Sequence, residues 1–260
     1  RMGKHTLDQY FKYASTDENR LGDFQQMLDD PEVKAIVCAR GGYGTNRIID
    51  KIDFTEFVKN PKWIIGFSDI TVLHSHIHRH FSIETIHGSM AAGLQISTDF
   101  PETKDSLMHI LFGKLPEYEW PLDVLSKKGS CHGILTGGNL AILCTLLGTP
   151  SDVDTRDRVL FIEEIGENLY RIDRMMLQLK RAGKLKHLAG LLVGGFSDIP
   201  DTKEEFGKGA YEIIAEAVQD YDYPVAFGFP AGHQPDNRAL ILGRAINLTV
   251  DEKNKLLFKP

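Results

Sequence analysis

The chain has 260 residues, 42% of them hydrophobic and 25% charged, with a net charge of −6 and a pI near 5.9. That length suits one large domain or two ordinary ones, and the acidic balance excludes a general attraction to phosphate backbones or anionic lipid, so no nucleic-acid partner is expected. No apolar run reaches bilayer-spanning length, the opening Arg1-Met2-Gly3-Lys4-His5 lacks the apolar core of a signal peptide, and Cys38, Cys131 and Cys144 lack metal-type spacing. Reduced thiols, a cytoplasmic location and no membrane contact are expected.

Leu21, Phe24 and Leu28 repeat at helical spacing ahead of an apolar strand over 35–39. A helix is expected over 47–52, a strand over 63–65, a turn at Ser68, a helix to about 80, a strand over 83–86 and a helix around 101–112. Apolar strands separated by helices predict an α/β layered domain with a parallel sheet covered on both faces. The stretch 113–129, rich in proline and charge, marks the domain junction. The expected division is a nucleophile-bearing domain over 1–114, a linker over 115–130 and a second domain over 131–260. In that second part come a strand over 131–135, the turn Thr136-Gly137-Gly138-Asn139 and a helix to 147. A strand over 159–162, a helix over 170–182, a strand over 190–193 and a helix over 203–218 follow. Short strands over 240–242, 245–250 and 255–258 close the chain and predict a mixed sheet there.

The pentapeptide Gly66-Phe67-Ser68-Asp69-Ile70 lies between the apolar run at 63–65 and a helix-like stretch, which puts Ser68 at a strand-to-helix turn. A hydroxyl there is exposed at the sheet end, beside helix amides that lack internal partners and can hold an oxyanion. The same five letters recur at Gly195-Phe196-Ser197-Asp198-Ile199, where Pro200 prevents a helix from starting directly on Ser197. Context therefore selects Ser68 as nucleophile, with helix capping as its alternative role. The base expected for it is His233, in the loop Pro230-Ala231-Gly232-His233-Gln234-Pro235-Asp236-Asn237; a surface histidine without a task is the competing reading. The carboxylate expected to orient that base is Glu163, at the end of the strand over 159–162. Strand alternation sends Glu164 to the opposite face, and capping of the next helix is the other role open to this acidic cluster.

Arg40-Gly41-Gly42-Tyr43-Gly44 lacks the spacing of a nucleotide-binding loop and is read as the second wall of an oxyanion hole. His74, His76, His78 and His80 lack a metalloprotease signature and are read as a solvated helix face, so neither metal nor cofactor is expected. Asn139, Arg171 and Arg174 are candidates for holding substrate carboxylates.

These segments, together with Glu163-Glu164-Ile165-Gly166-Glu167 and Tyr170-Arg171-Ile172-Asp173-Arg174-Met175, jointly resemble the LD-carboxypeptidase family of serine peptidases, which includes microcin C self-immunity peptidases. The resemblance runs from about residue 20 to 245 and implies a Ser–Glu–His triad at Ser68, Glu163 and His233, with oxyanion amides near Gly42 and Asp69. It also implies a flavodoxin-like N-terminal domain with its first strand missing here, a C-terminal domain supplying the carboxylate and imidazole, and a homodimer. The implied activity is removal of a terminal D-amino acid from murein tetrapeptide without a metal. Two alternatives stay open: cleavage of a peptidyl-nucleotide antibiotic, and a silent module that binds peptides or nucleotides. One departure is His87-Gly88-Ser89-Met90, where relatives commonly carry proline in the third place.

Overall fold

The computed structural model describes residues 1–94 and 99–260. In chain order the first elements are α1 (Asp17–Asp29), β1 (Ala35–Val37), α2 (Thr55–Lys59), β2 (Trp63–Gly66), α3 (Thr71–Phe81), β3 (Thr85–His87), α4 (Ala91–Leu94) and α5 (Pro101–Leu111). Then follow β4 (Glu117–Pro121), β5 (Gly129–Asn139), α6 (Leu140–Leu146), β6 (Arg158–Ile165), α7 (Leu169–Arg181), β7 (Gly190–Ser197), α8 (Ala210–Val218) and β8 (Val225–Ala226). The chain closes with β9 (Leu240–Leu242), β10 (Ala245–Val250) and β11 (Lys253–Phe258). Among the described residues these strands form a four-stranded sheet in the order β1-β2-β3-β9 and a seven-stranded sheet in the order β4-β11-β10-β5-β6-β7-β8. The first is parallel except for β9, and the second is parallel across β5-β6-β7-β8 and antiparallel elsewhere. The expected α/β class with a parallel-dominated sheet and a mixed sheet is observed.

Side-chain alternation explains how the larger sheet serves two cores. On β6, Phe161 faces a core shared with Ile65 and Ile86 of the smaller sheet, while Leu160 and Ile162 face a second core with Leu143, Ile172, Met176 and Ile214 from α6, α7 and α8. A third core packs Leu28, Phe57 and Ile77 onto Ile64 of β2. The buried ammonium of Lys62 donates to the carbonyls of Met27, Leu28 and Asp30 at 3.1, 2.7 and 2.8 Å, satisfying the C-terminal end of α1 and pinning it beside β2.

Several sequence expectations need correction. The segment expected as a linker over 115–130 contains β4, an edge strand paired with β11. Tyr118 and Trp120 point inward, their polar tips donating to Ala239 O at 2.6 Å and Phe227 O at 2.9 Å, while Glu117, Glu119 and Pro121 face outward. Charge and proline on the solvent side hid a period-two pattern. The division at 114 is crossed again by β9, which pairs antiparallel with β3. The helix expected over 47–52 is two 3-10 turns, Thr45–Arg47 and Ile49–Lys51. The helix expected from 203 begins at Ala210, since the Asp201 carboxylate accepts the Phe206 N–H and holds that stretch as a turn.

The histidine row on α3 is not a solvated face. His74 and His78 are buried, because α3 is wedged between β2, β3 and the 149–152 turn. His74 Nε2–H donates to Gly66 O at 3.0 Å, His78 lies 3.3 Å from the Thr85 hydroxyl, His76 meets Ser151 Oγ at 2.9 Å and His80 Nε2–H donates to Pro150 O at 2.9 Å. Burial holds His74 down to about 4 and His78 to about 3, so both are neutral. No described helix is long and apolar enough to cross a membrane.

Candidate active site

Gly66 ends β2 where a Cβ would stand 2.8 Å from Ile70, so only glycine allows the chain to fold tightly back into α3. Phe67 is extended, and Ser68 then takes φ 64°, a left-handed conformation costly for a residue with a Cβ. A 3-10 turn over Ser68–Ile70 leads into α3. This strained strand–turn–helix lifts the Ser68 hydroxyl out of the sheet end, and the residue stays partly exposed. Below it, the His74 bond to Gly66 O fixes the helix to the strand that precedes the turn.

The glycine loop after β1 closes over this turn. A Cβ on Gly41 would lie 3.0 Å from Ser68 Cβ and 3.2 Å from its hydroxyl, and Gly42 adopts φ 110°. Asp69 couples the two segments: its buried carboxylate accepts from Thr45 N–H at 2.9 Å and Thr45 Oγ1–H at 2.7 Å. The Gly42 N–H meets no acceptor among the described residues, and the first amides of the Ser68 turn have none within it. Both amide-bearing segments named from the sequence therefore flank the hydroxyl.

Glu163, at the exit of β6, is fully buried on the same face as Phe161. Its Oε2 accepts from His233 Nδ1–H at 2.7 Å and from the His233 backbone N–H at 3.2 Å. A carboxylate that only accepts puts a proton on Nδ1, so that in the neutral ring it is Nε2 that carries the lone pair. The backbone can come this close because residue 232 is glycine, at φ +112°; a Cβ there would meet Glu163 Cβ at 2.7 Å. The His233 ring packs against Phe67, centroids 4.8 Å apart, next in sequence to Ser68. Phe67 also touches His87, whose ring meets Phe161 edge-on at 4.9 Å. His87 is fully buried with both nitrogens unpartnered among the described residues, and burial drives it well below the usual histidine range, so the ring is neutral.

Glu164 faces the other side of the sheet, accepting from Asn139 Nδ2–H at 2.9 Å and Ala141 N–H at 2.7 Å. Burial raises its carboxyl above the usual range. Asn139, expected to hold substrate, is a helix cap instead: its Oδ1 accepts the Ile142 N–H at 3.1 Å and its amide serves Glu164. Arg171 pairs with Glu167 at 3.1 Å, and Arg174 lies over the Tyr170 ring in a surface groove with Leu147, Leu177 and Phe206. No hydrogen bond or ion pair joins either arginine to Ser68, Glu163 or His233 among the described residues.

Sequence reasoning passed over Thr45 and treated Ser197 only as the discarded serine. Ser197 Oγ–H in fact donates to the His233 carbonyl. It also passed over Arg40 as a candidate ligand, although Arg40 adjoins Gly41, is exposed and has no ion pair among the described residues. Its neighbour Tyr43 is exposed and packs with Tyr13 at 5.9 Å. No group of three or more His, Cys, Asp or Glu with metal-binding geometry occurs among the described residues.

Residues 1–88 match the profile of the LD-carboxypeptidase N-terminal domain, and residues 132–248 that of the LD-carboxypeptidase C-terminal domain. A Bacillus subtilis protein named "Probable murein peptide carboxypeptidase" is 37% identical over 260 residues, covering 99% of this chain and 82% of that one. The crystal structure of a muramoyltetrapeptide carboxypeptidase from Oxalobacter formigenes superposes with a TM-score of 0.88 at 28% identity, over 96% of this chain and 86% of that one. The microcin C7 self-immunity protein MccF gives a TM-score of 0.88 at 23% identity, over 99% of this chain and 85% of that one, a likeness of fold.

Proposed function

The chain belongs to the LD-carboxypeptidase family, and from that premise we propose that it hydrolyses the amide between an L-centre and the terminal D-alanine of a murein tetrapeptide, with Ser68 as nucleophile. Nε2 of His233 takes the Ser68 proton as the hydroxyl attacks the scissile carbonyl, and the N–H groups of Gly42 and Asp69 receive the oxyanion. The imidazolium, steadied by Glu163, then protonates the leaving amine, and water activated by the same imidazole releases the acyl group. The observation that carries this reading is the 2.7 Å Glu163–His233 bond beside the left-handed Ser68 turn, since it ties up Nδ1 and leaves Nε2 as the nitrogen that takes the proton.

A carboxypeptidase must also recognise a free carboxylate one residue beyond the scissile bond. Arg40 suits that task better than Arg171, Arg174 or Asn139, whose side chains have other partners. The murein reading is preferred to the peptidyl-nucleotide one because the relatives named for murein peptides are the more similar in sequence, at 37% and 28% against 23% for MccF. We further propose a cytoplasmic homodimer. Unpaired thiols pushed up to about 12, 11 and 12 at Cys38, Cys131 and Cys144 suit a reducing compartment, and the dimer follows family habit.

The test is chiral detection of D-alanine released from L-Ala-D-Glu-diaminopimelate-D-Ala. The native enzyme should release it and the all-L terminal analogue should be spared, while Ser68→Ala should fall by on the order of 10⁴-fold or more with its fold intact. Unchanged release by that variant would remove the proposal.

A further inference from the structure

The repeated pentapeptide leaves one serine without a role in the chemistry, and its surroundings show what it touches. At the exit of β7, Gly195 N–H donates to Ala231 O at 2.8 Å, and Ser197 Oγ–H donates to the carbonyl of His233. Bare Cα atoms make this approach feasible: a Cβ on Gly194 would lie 2.6 Å from Ala231 O, and one on Gly195 would lie 2.7 Å from the Gln234 side chain. Ser197 is itself held, since its carbonyl accepts the Gly166 N–H at 3.1 Å where β6 ends. The loop is closed from its other side by Gly232 N–H donating to Asn237 Oδ1 at 2.9 Å.

His233 is thus gripped at both of its backbone polar groups. Glu163 Oε2 accepts its N–H at 3.2 Å, and Ser197 satisfies its C=O. With both groups tied, the peptide planes on either side of the Cα cannot swing, and the imidazole keeps only its side-chain torsions, one end of which Glu163 also fixes through Nδ1. We propose that Ser197 is a positioning residue for the general base: its hydroxyl sets the His233 backbone and so the placement of the ring that packs on Phe67, next to Ser68. The two copies of Gly-Phe-Ser-Asp-Ile then share one task, the first presenting the nucleophile and the second orienting its base. The proposal rests on the Ser68–His233–Glu163 reading above.

An ångström of misplacement at a base costs about 100-fold in rate without altering how substrate is held. The discriminating pair is Ser197→Thr and Ser197→Val, nearly equal in shape but differing in the hydroxyl. We expect Ser197→Thr to keep kcat within a few fold of the native enzyme and Ser197→Val to lose about 10- to 100-fold in kcat, with KM changed less than twofold and equal melting temperatures for the two variants. A substrate-independent readout is the rate at which a fluorophosphonate labels Ser68, which should fall in parallel for Ser197→Val alone. If Thr and Val variants label and turn over alike, the positioning role is wrong while the triad stands. If the native enzyme itself fails to label while folded, the triad reading fails and this proposal with it.

Discussion

At the scale of single residues, the site depends on side chains that do not react. Thr45 clamps the Asp69 carboxylate and so sets the spacing between the glycine loop and the Ser68 turn, while His74 fastens α3 to the carbonyl just before that turn. Burial keeps His74 and His78 neutral, which ties stability to pH. Their folded-state values lie below the ordinary 6.5, so the unfolded chain binds more protons in acid; the stabilisation is complete above about pH 6.5 and is lost as pH falls toward 4 and 3. By pH 5 the loss should be about 2 kcal/mol per histidine. Glu164, raised by burial, acts in the opposite sense by regaining stability as acid protonates it. Denaturant unfolding at pH 7 and pH 5 should therefore show a net fall on acidification, and equal unfolding free energies would contradict the neutral-histidine assignment. Nothing in the histidine spacing distinguished this from a wet helix face, because the elements that cover α3 come from distant parts of the chain.

At the scale of elements, glycine positions decide where strands end and loops close in. Gly137 sits at φ +125° near the C-terminal end of β5, where a Cβ would fall 2.0 Å from Phe161 O on the neighbouring strand. Gly137→Ala should cost more than about 2 kcal/mol in unfolding free energy, whereas Gly148→Ala, at φ +77° with open space around it, should cost about 1 kcal/mol. Equal effects in a denaturant titration would mean that backbone conformation rather than the strand contact sets the cost. The strand–turn–helix around Ser68 was legible in the sequence because the apolar run, the glycine and the helical stretch are contiguous. So was the opposite facing of Glu163 and Glu164, which needs only alternation along one strand. The strand β4 was not, since its inward residues Tyr118 and Trp120 alternate with glutamates and a proline on an exposed edge. Nor was the task of Asn139, whose capping bond depends on where α6 starts.

At the scale of the whole molecule, the two sheets are interlocked more than a division into successive domains suggests. Strand β9, from near the chain's end, completes the sheet that begins with β1, and Asn139 N–H donates to Thr71 Oγ1 at 3.0 Å where β5 meets the first turn of α3. A fragment of residues 1–114 would expose the β3 edge and the Ile65–Ile86 face, so it should show no cooperative unfolding by circular dichroism; a sharp transition would show that the first sheet is self-sufficient. The same interlocking brings Glu163 of β6 and His233, 70 residues apart in the chain, into hydrogen-bond contact, with the His233 ring packed on Phe67 at the end of β2. That convergence is tested most directly by fluorophosphonate labelling of the folded protein followed by peptide mapping. A single adduct on Ser68 that disappears in His233→Ala is expected. An adduct on Ser197, or undiminished labelling without His233, would contradict it.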